Sequence, residues 1–433
     1  MRKFIASMCI VSLATVPICN AQQQTPINEA SRPRLSFSNY ITEVLHANLD
    51  LSAQRANISI AKAQVTTASA RPDWSASLGL PSVDLSSQGA PTTTTTGLTV
   101  PVELGGKRNA RIKAASADLS TITSDYEDAV RQLQANGADA FIDALGARAV
   151  LQSKNKSLSQ LDRIVEVNQE RLRVGDIGEI ELIQSRVERD QFKADVISAD
   201  ADVFSADVDM AQLLGTSQKL GEQQLPVPTG SLEIATRTFQ IEQLIANSLQ
   251  KRPDVISRVR AVQAADQRIR LARVNLFPDL QLNAGYAHTG TGTGGFAQPP
   301  DNTIAGGISI NLPISRRRNP GDLEAARATY SQAELQLRSV ERKAEAEIRD
   351  AYRRYQASAS RLNVFRGGLL KDADKVLEAR LYAYQRGGAT LLEVLDAERK
   401  SAELYLAYSQ ALADHAHALV KLETSAVIWD VSF

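Results

Sequence analysis

The sequence predicts a mostly α-helical chain with a small β part, organised as a duplicated long-helix coiled coil that carries four strands. Three observations predict it. The chain is written twice, each copy holds a helical pattern of about 65 residues, and each copy holds two short segments of strict two-residue alternation.

Arg2 and Lys3 precede an apolar run from Phe4 to about Val16, and Cys19-Asn20-Ala21 offers small residues where cleavage requires them. That pattern reads as a secretory signal peptide over 1–21, too short for a spanning helix. Acylation of Cys19 is the alternative processing, although Ile18 is bulky where a small residue is wanted. Cleavage after Ala21 removes both cysteines, Cys9 and Cys19, so the mature chain relies on packing rather than disulfides in an oxidising compartment. It leaves 47 basic against 49 acidic residues, without the basic excess of nucleic-acid binders. No later stretch approaches the ~18 apolar residues of a spanning helix. An exported chain of this kind is periplasmic, secreted, or part of an outer-membrane β-barrel.

The duplication is read from punctuation rather than helix composition. FSNYITEVLHANLDL (37–51) answers FQIEQLIANSLQKRPDV (239–255), and Arg71-Pro72-Asp73-Trp74 answers Phe277-Pro278-Asp279-Leu280. Gly97-Leu98-Thr99-Val100 answers Gly307-Ile308-Ser309-Ile310, each followed by a basic cluster. Val174-Gly175 with Glu181-Leu182-Ile183 answers Arg386-Gly387 with Glu393-Val394-Leu395. The offset drifts only from about 204 to 212, and chance similarity of Ala-rich helices would not keep this order. The first repeat is expected over 22–215, a linker over 216–236, the second repeat over 237–425 and a tail over 426–433.

Each repeat opens with a helix, 37–70 and 239–275, that a proline ends. The next segments place Trp74, Ala76, Leu78 and Leu80 on one face, then Leu98, Val100 and Val102. Their counterparts are Leu280, Leu282, Ala284 and Tyr286, then Ile304, Ile308, Ile310 and Leu312. Two β-hairpins follow, over 72–104 and 278–314. Long helices are expected over about 107–174 and 322–386, with a coiled-coil seam through Leu158, Leu161, Val165 and Leu172. Glycine breaks at Gly175–Gly178 and Gly387-Gly388 turn the chain into return helices, 179–214 and 390–425. A helix of 67 residues rises about 100 Å, and the two shorter helices of each repeat stack to nearly that length.

Four strands cannot close a barrel, because the smallest outer-membrane barrels need about eight. Unpaired edges are not tolerated in lipid, so other copies must complete the sheet. Three copies give about twelve strands and as many helical columns, a trimeric tube with a 12-stranded outer-membrane β-barrel.

At this point the chain resembles the TolC family of outer-membrane efflux proteins over nearly its whole mature length. The most specific match is Tyr384-Gln385-Arg386-Gly387 followed by Leu392-Glu393-Val394-Leu395-Asp396-Ala397, similar to the family's second distal-turn motif. Pro101-Val102-Glu103-Leu104-Gly105-Gly106-Lys107-Arg108, and Leu312-Pro313 with Arg318-Asn319-Pro320-Gly321-Asp322, resemble the CzcC-type branch. The resemblance implies a homotrimer in outer-membrane lipid, a periplasmic adaptor docking on the turns at Gly175, Gly178, Gly387 and Gly388, and an inner-membrane resistance-nodulation-division (RND) pump. The branch implies divalent metal cations as cargo, with drugs as the other class.

The same resemblance places Glu181, Gln184, Tyr384, Glu393 and Asp396 at a constricted periplasmic mouth. Glu181 and Glu393 stand where aspartate is usual, and Ala389 replaces an expected basic partner. In a trimer, Glu181, Glu393 and Asp396 would supply about nine carboxylates to one opening, and acidic rings favour cations. The plainer reading is that acids in first helical turns complement the helix dipole.

Other signals carry no chemistry. Gly290-Thr291-Gly292-Thr293-Gly294-Gly295 satisfies a dinucleotide-loop spacing but leads into Pro299-Pro300 rather than a helix. Gly105-Gly106-Lys107-Arg108 reads as the turn into the long helix. His46, His288, His415 and His417 are scattered, and the last two point to different helix faces, so no metal site, cofactor or catalytic site is expected. The leading function is a passive outer-membrane duct; the rival is a soluble periplasmic coiled-coil adaptor.

Overall fold

The computed structural model describes residues 32–80, 92–215, 225–291, 299–312 and 318–433. The expected leader 1–21, most of the glycine-rich segment 290–295 and the linker portion 216–224 lie outside the described residues.

In chain order the elements are β1 (Arg34–Ser36), α1 (Phe37–Ala47), α2 (Leu49–Ser69), β2 (Ser75–Gly79), β3 (Thr93–Val102), α3 (Lys107–Arg173) and α4 (Glu179–Leu213). Then come β4 (Val227–Thr229), α5 (Ile241–Lys251), α6 (Pro253–Val274), β5 (Asp279–Thr289), β6 (Asp301–Asn311), α7 (Arg318–Val364), α8 (Leu370–Gln385) and α9 (Leu391–Ala426). A short π-helical segment, Phe365–Leu369, joins α7 to α8. The mostly helical fold class with four long-hairpin strands is as the sequence predicts.

The expected apolar face is continuous across the sheet, whose order is β2-β3-β5-β6 and whose ladders are all antiparallel. Register sets Val102 opposite Leu280 and Leu280 opposite Ile310; Val100, Leu282 and Ile308 form the next row. Leu78, Thr96, Tyr286 and Ile304 form another. Because side chains alternate with a period of two, these rows share one face. That face is bare: Ile304 is 85 % exposed, and Leu78, Ile308 and Ile310 are exposed as well. The opposite face carries Ser77, Thr95, Thr99, Asn283 and Ser309, with Thr99 Oγ1 donating to Asn283 at 2.8 Å.

Below the sheet, α3 runs as one continuous helix of 67 residues, about 100 Å at ~1.5 Å per residue. On the sheet side α3 packs against α2 and α6, and α6 against α7; on the distal side it packs against α4 and α9, and α9 against α7 and α8. The helices thus lie side by side in a row, α3 in contact with both of its neighbouring pairs.

Three helices depart from the expected lengths. The opening helices are broken, not continuous. Asn48 takes an extended ψ of 126° and caps α2, its Oδ1 accepting from Leu51 N at 2.9 Å. At the matching position Arg252 is extended because Pro253 follows it. The second long helix is interrupted at Phe365–Leu369, where Gly368 has a φ of 116°. Its counterpart in the first repeat, around Ser153–Ser157, is ordinary α-helix.

A layer that the sequence did not foretell crosses the middle of the wall. Linker strand β4 pairs in parallel with β1, and α1, α5 and the tail pack beside it. The stripe Ala138, Phe141, Ile142 and Leu145 on α3 buries against Phe37, Tyr40 and Val44, each such side chain contributing about 1.5–3 kcal/mol. Phe433 closes this core, its ring 4.8 Å from that of Phe37. Asp207 of α4 is fully buried and joins Arg32, ahead of β1, to Arg148 of α3, whose Nη1 reaches Oδ1 at 2.7 Å. A buried carboxylate is stable there because two guanidinium groups compensate it.

Candidate functional site

The two distal turns are built alike. After α3, Gly175 takes a φ of 83° and Asp176 N donates back to Arg171 O at 2.8 Å. After α8, Gly387 takes a φ of 75° and Gly388 N donates to Ala383 O at 2.8 Å. These are left-handed C-terminal caps, which glycine adopts without a Cβ penalty. Gly178 instead caps α4 with an extended backbone, and a Cβ there would meet nothing within 4 Å.

The return helices begin differently. In α9 the Thr390 hydroxyl accepts from Glu393 N, and the Glu393 carboxylate accepts from Thr390 N at 2.8 Å, a capping box. Glu393 also accepts from Arg380 Nη1 at 3.1 Å. Bonding to the Thr390 backbone, then its hydroxyl and Arg380, holds the Glu393 pKa below the usual range. In α4, Gly178 offers no hydroxyl, and the half-buried Glu181 has a buried Oε2 with no hydrogen-bond partner.

Within one chain the five mouth candidates do not form one cluster. Gln184 and Asp396, equivalent positions of the two repeats, line one groove of about 360 Å³ with Ile183, Val187, Leu392 and Arg399. Asp396 accepts from Lys400 Nζ at 2.8 Å, and this bond holds its carboxyl low. Glu393 is exposed beside Arg380. Tyr384 is only 3 % exposed and faces inward, packed with Leu161, Ile164, Leu391 and Val394. Its hydroxyl donates to Asn168 Oδ1 at 2.6 Å, and Arg171 stacks 4.5 Å over its ring while donating to its carbonyl at 3.1 Å. Burial raises the Tyr384 pKa, Arg171 opposes that, and Glu181 adds to it, which places Glu181 near the same contact.

Sequence reasoning missed the basic partners. Arg171, from the other repeat, is the cation that meets Tyr384, at its ring and its carbonyl. Only Lys400 left a local signal, four residues after Asp396 on one helix face. A second cross-repeat bridge, Arg399 Nη2 to Glu188 Oε1 at 3.0 Å, spans α9 and α4.

His415 and His417 also find partners. His415 is buried, stacks on Tyr355 and contacts the Ser358 hydroxyl. His417 lies between Asp139 and Asp143, at 2.8 and 2.9 Å. Among the described residues no group of three or more His, Cys, Asp or Glu is placed to hold a metal ion, and no helix is long and apolar enough to cross a membrane.

A helical wall of this length, continuous with an open sheet whose apolar face is bare, defines a channel-type outer-membrane protein. The chain belongs to the outer membrane efflux protein family, whose model matches residues 40–216 and 244–426. It is similar to the cobalt-zinc-cadmium resistance protein CzcC of Cupriavidus metallidurans, at 22 % identity over 331 residues, 76 % of each chain. Its fold is that of CusC (TM-score 0.74, 20 % identity, 90 % of this chain and 92 % of that one). The Campylobacter jejuni CmeC outer membrane channel is alike in fold (TM-score 0.74, 18 % identity, 90 % and 85 % covered). The protein is therefore an outer-membrane efflux channel component with a long periplasmic helical portion, and the adaptor reading falls. Its family is one of channels, not of enzymes.

Proposed function

We propose that this chain is one third of a homotrimeric duct that passively conducts divalent metal cations, with drugs as the alternative cargo, from periplasm to exterior. The observation that carries the reading is the open four-stranded sheet with one bare apolar face: such a face suits lipid, and its free edges require further copies. The helical wall has matching free edges. Along α4, Ile183, Val187, Ile197 and Phe204 are exposed, and Val364, Leu369 and Val376 are exposed on the α7–α8 side. Joining these stripes between neighbouring copies closes the wall into a tube.

Energy comes from an inner-membrane RND-type pump through a periplasmic adaptor that docks on the turns at Gly175–Gly178 and Gly387-Gly388. Glu181, Gln184, Glu393 and Asp396 sit around the mouth, and Tyr384 holds it from within. The chain needs no cofactor and performs no catalysis. Similarity to CzcC supports metal cations over drugs. The test is fractionation followed by planar-bilayer recording of the purified protein. An outer-membrane, heat-sensitive trimer with cation-preferring conductance is expected; a soluble, detergent-independent monomer would sink the reading.

A further inference from the structure

Glu398 lies on α9, two residues beyond Asp396, and faces α3. It is 2 % exposed, its carboxyl bonds the equally buried Ser157 hydroxyl of α3, and its Oε1 has no hydrogen-bond partner. The surrounding cations are engaged elsewhere. Arg399, its neighbour on α9, reaches across to Glu188 of α4 at 3.0 Å. On α3, Lys154 donates to the Asp195 carbonyl at 3.1 Å, and Lys156 sits 3.9 Å over the Tyr405 ring. From the α8 side, Asp374 accepts from the Tyr405 hydroxyl, two turns away. The remaining nearby charge is Glu403, which with Glu188 and Asp195 lines a groove of about 340 Å³ between α4 and α9.

A carboxylate in this position has lost water and faces a like charge on α4, and the Ser157 hydroxyl and the pull of Arg399, itself bound to Glu188, do not make up the loss. Such a group is stable there only when neutral. Burial, reinforced by Glu188, raises its pKa from the ordinary 4.5 to about 7. The packed arrangement is therefore fully favoured below 4.5 and loses its advantage as the pH rises to about 7.

We propose that Glu398 is a proton-operated latch between the two distal helical hairpins: neutral, it lets α9 lie against α3 beneath the Glu188–Arg399 clasp; ionised, it drives α9 off α3 and opens the groove between α4 and α9. The latch lies one turn above the mouth, so it regulates the site of the proposed duct and rests on that reading for its physiological meaning. Its mechanics need no conduction.

Spin labels on Gln191→Cys of α4 and Ala402→Cys of α9, residues on the two walls of the groove, read its width. Labelled chains are diluted into unlabelled ones so that each assembly carries one pair. Pulsed-EPR distances between pH 5 and 8 should lengthen in the wild-type background and stay short in Glu398→Gln. Glu188→Gln, which removes a like charge that raises the Glu398 pKa, should move the transition to lower pH. If Glu398→Gln fails to assemble, Glu398→Met supplies the neutral occupant. A pH-independent distance in the wild-type background, or a neutral variant that still lengthens, overturns the latch. Failed conductance with a pH-dependent distance would overturn the duct alone.

Discussion

The Tyr384 hydroxyl donates to Asn168 Oδ1 at 2.6 Å, joining the end of α8 to the end of α3 where the two repeats meet. Arg171 covers the same ring, so hydrogen bond and cation–π contact act on one residue. Both partners come from the first repeat, and the junction is therefore a tie between hairpins rather than a feature of either.

Tyr384→Phe keeps the ring but strands the Asn168 oxygen, in a site where the Asn168 Nδ2 already lacks a partner. The cost is about 1–3 kcal/mol, the penalty for a buried acceptor left unpaired. We expect a lower thermal midpoint and a larger open fraction in planar bilayers. An open fraction equal to wild type would show that the tie does not hold the mouth.

Asp396 and Glu393 carry charge in different settings, which separates two roles. Asp396→Asn should weaken cation preference, measured as reversal potential in a salt gradient, with little loss of stability. Glu393→Ala also removes the capping box, whereas Glu393→Gln leaves an acceptor for it. Lys400 and the Thr390 backbone depress these two carboxyl pKa values. Their charge is thus present at neutral pH and is lost only as pH falls below the ordinary values of 3.8 and 4.5. Selectivity that is flat down to that range is expected; a selectivity change centred near neutrality would assign the filter to other groups.

The hinge in the second repeat offers a paired test. Gly368 has a φ of 116°, while a Cβ at Gly367 or Gly368 would meet nothing within 4 Å. Gly368→Ala is therefore strained by backbone alone, on the order of 1–3 kcal/mol. Gly367→Ala, with no left-handed φ, should be neutral or slightly stabilising. Equal thermal midpoints for the two variants would mean that the π-helical segment relaxes into ordinary helix.

What was legible in the sequence followed from repetition and period. The alternation at Leu98, Val100 and Val102 fixed a strand face because a period of two permits no other arrangement, and Gly175 and Gly387 marked turns because few residues accept their backbone. The breaks at Asn48 and Arg252 were hidden inside strong helical periodicity, although Pro253 signalled one of them. The π-helical segment was hidden because Gly367-Gly368 within a helix is compatible with an unbroken one. At the candidate site, the motif named the acids, but Arg171 stands 213 positions from Tyr384, and no local spacing reveals a partner from another repeat. Tyr384 was named by the motif, whereas its burial depends on how α8 rotates against α3, which one helix's pattern does not determine.

His417 supplies a pH prediction independent of the mouth. Burial alone would lower its pKa, but hydrogen bonds to Asp139 and Asp143 outweigh burial and raise it to about 9. The imidazolium thus ties α9 to α3 at neutral pH. A raised histidine pKa gives stability that is fully present below the ordinary 6.5 and lost as pH rises through about 9. The side chain is part exposed, so screening reduces the contribution to roughly 1–2 kcal/mol. His417→Gln should lower the thermal midpoint at pH 6.5 and converge with wild type above pH 9, where both are neutral at this position. A constant difference between the two proteins across that range would show that packing, not charge, accounts for the contact.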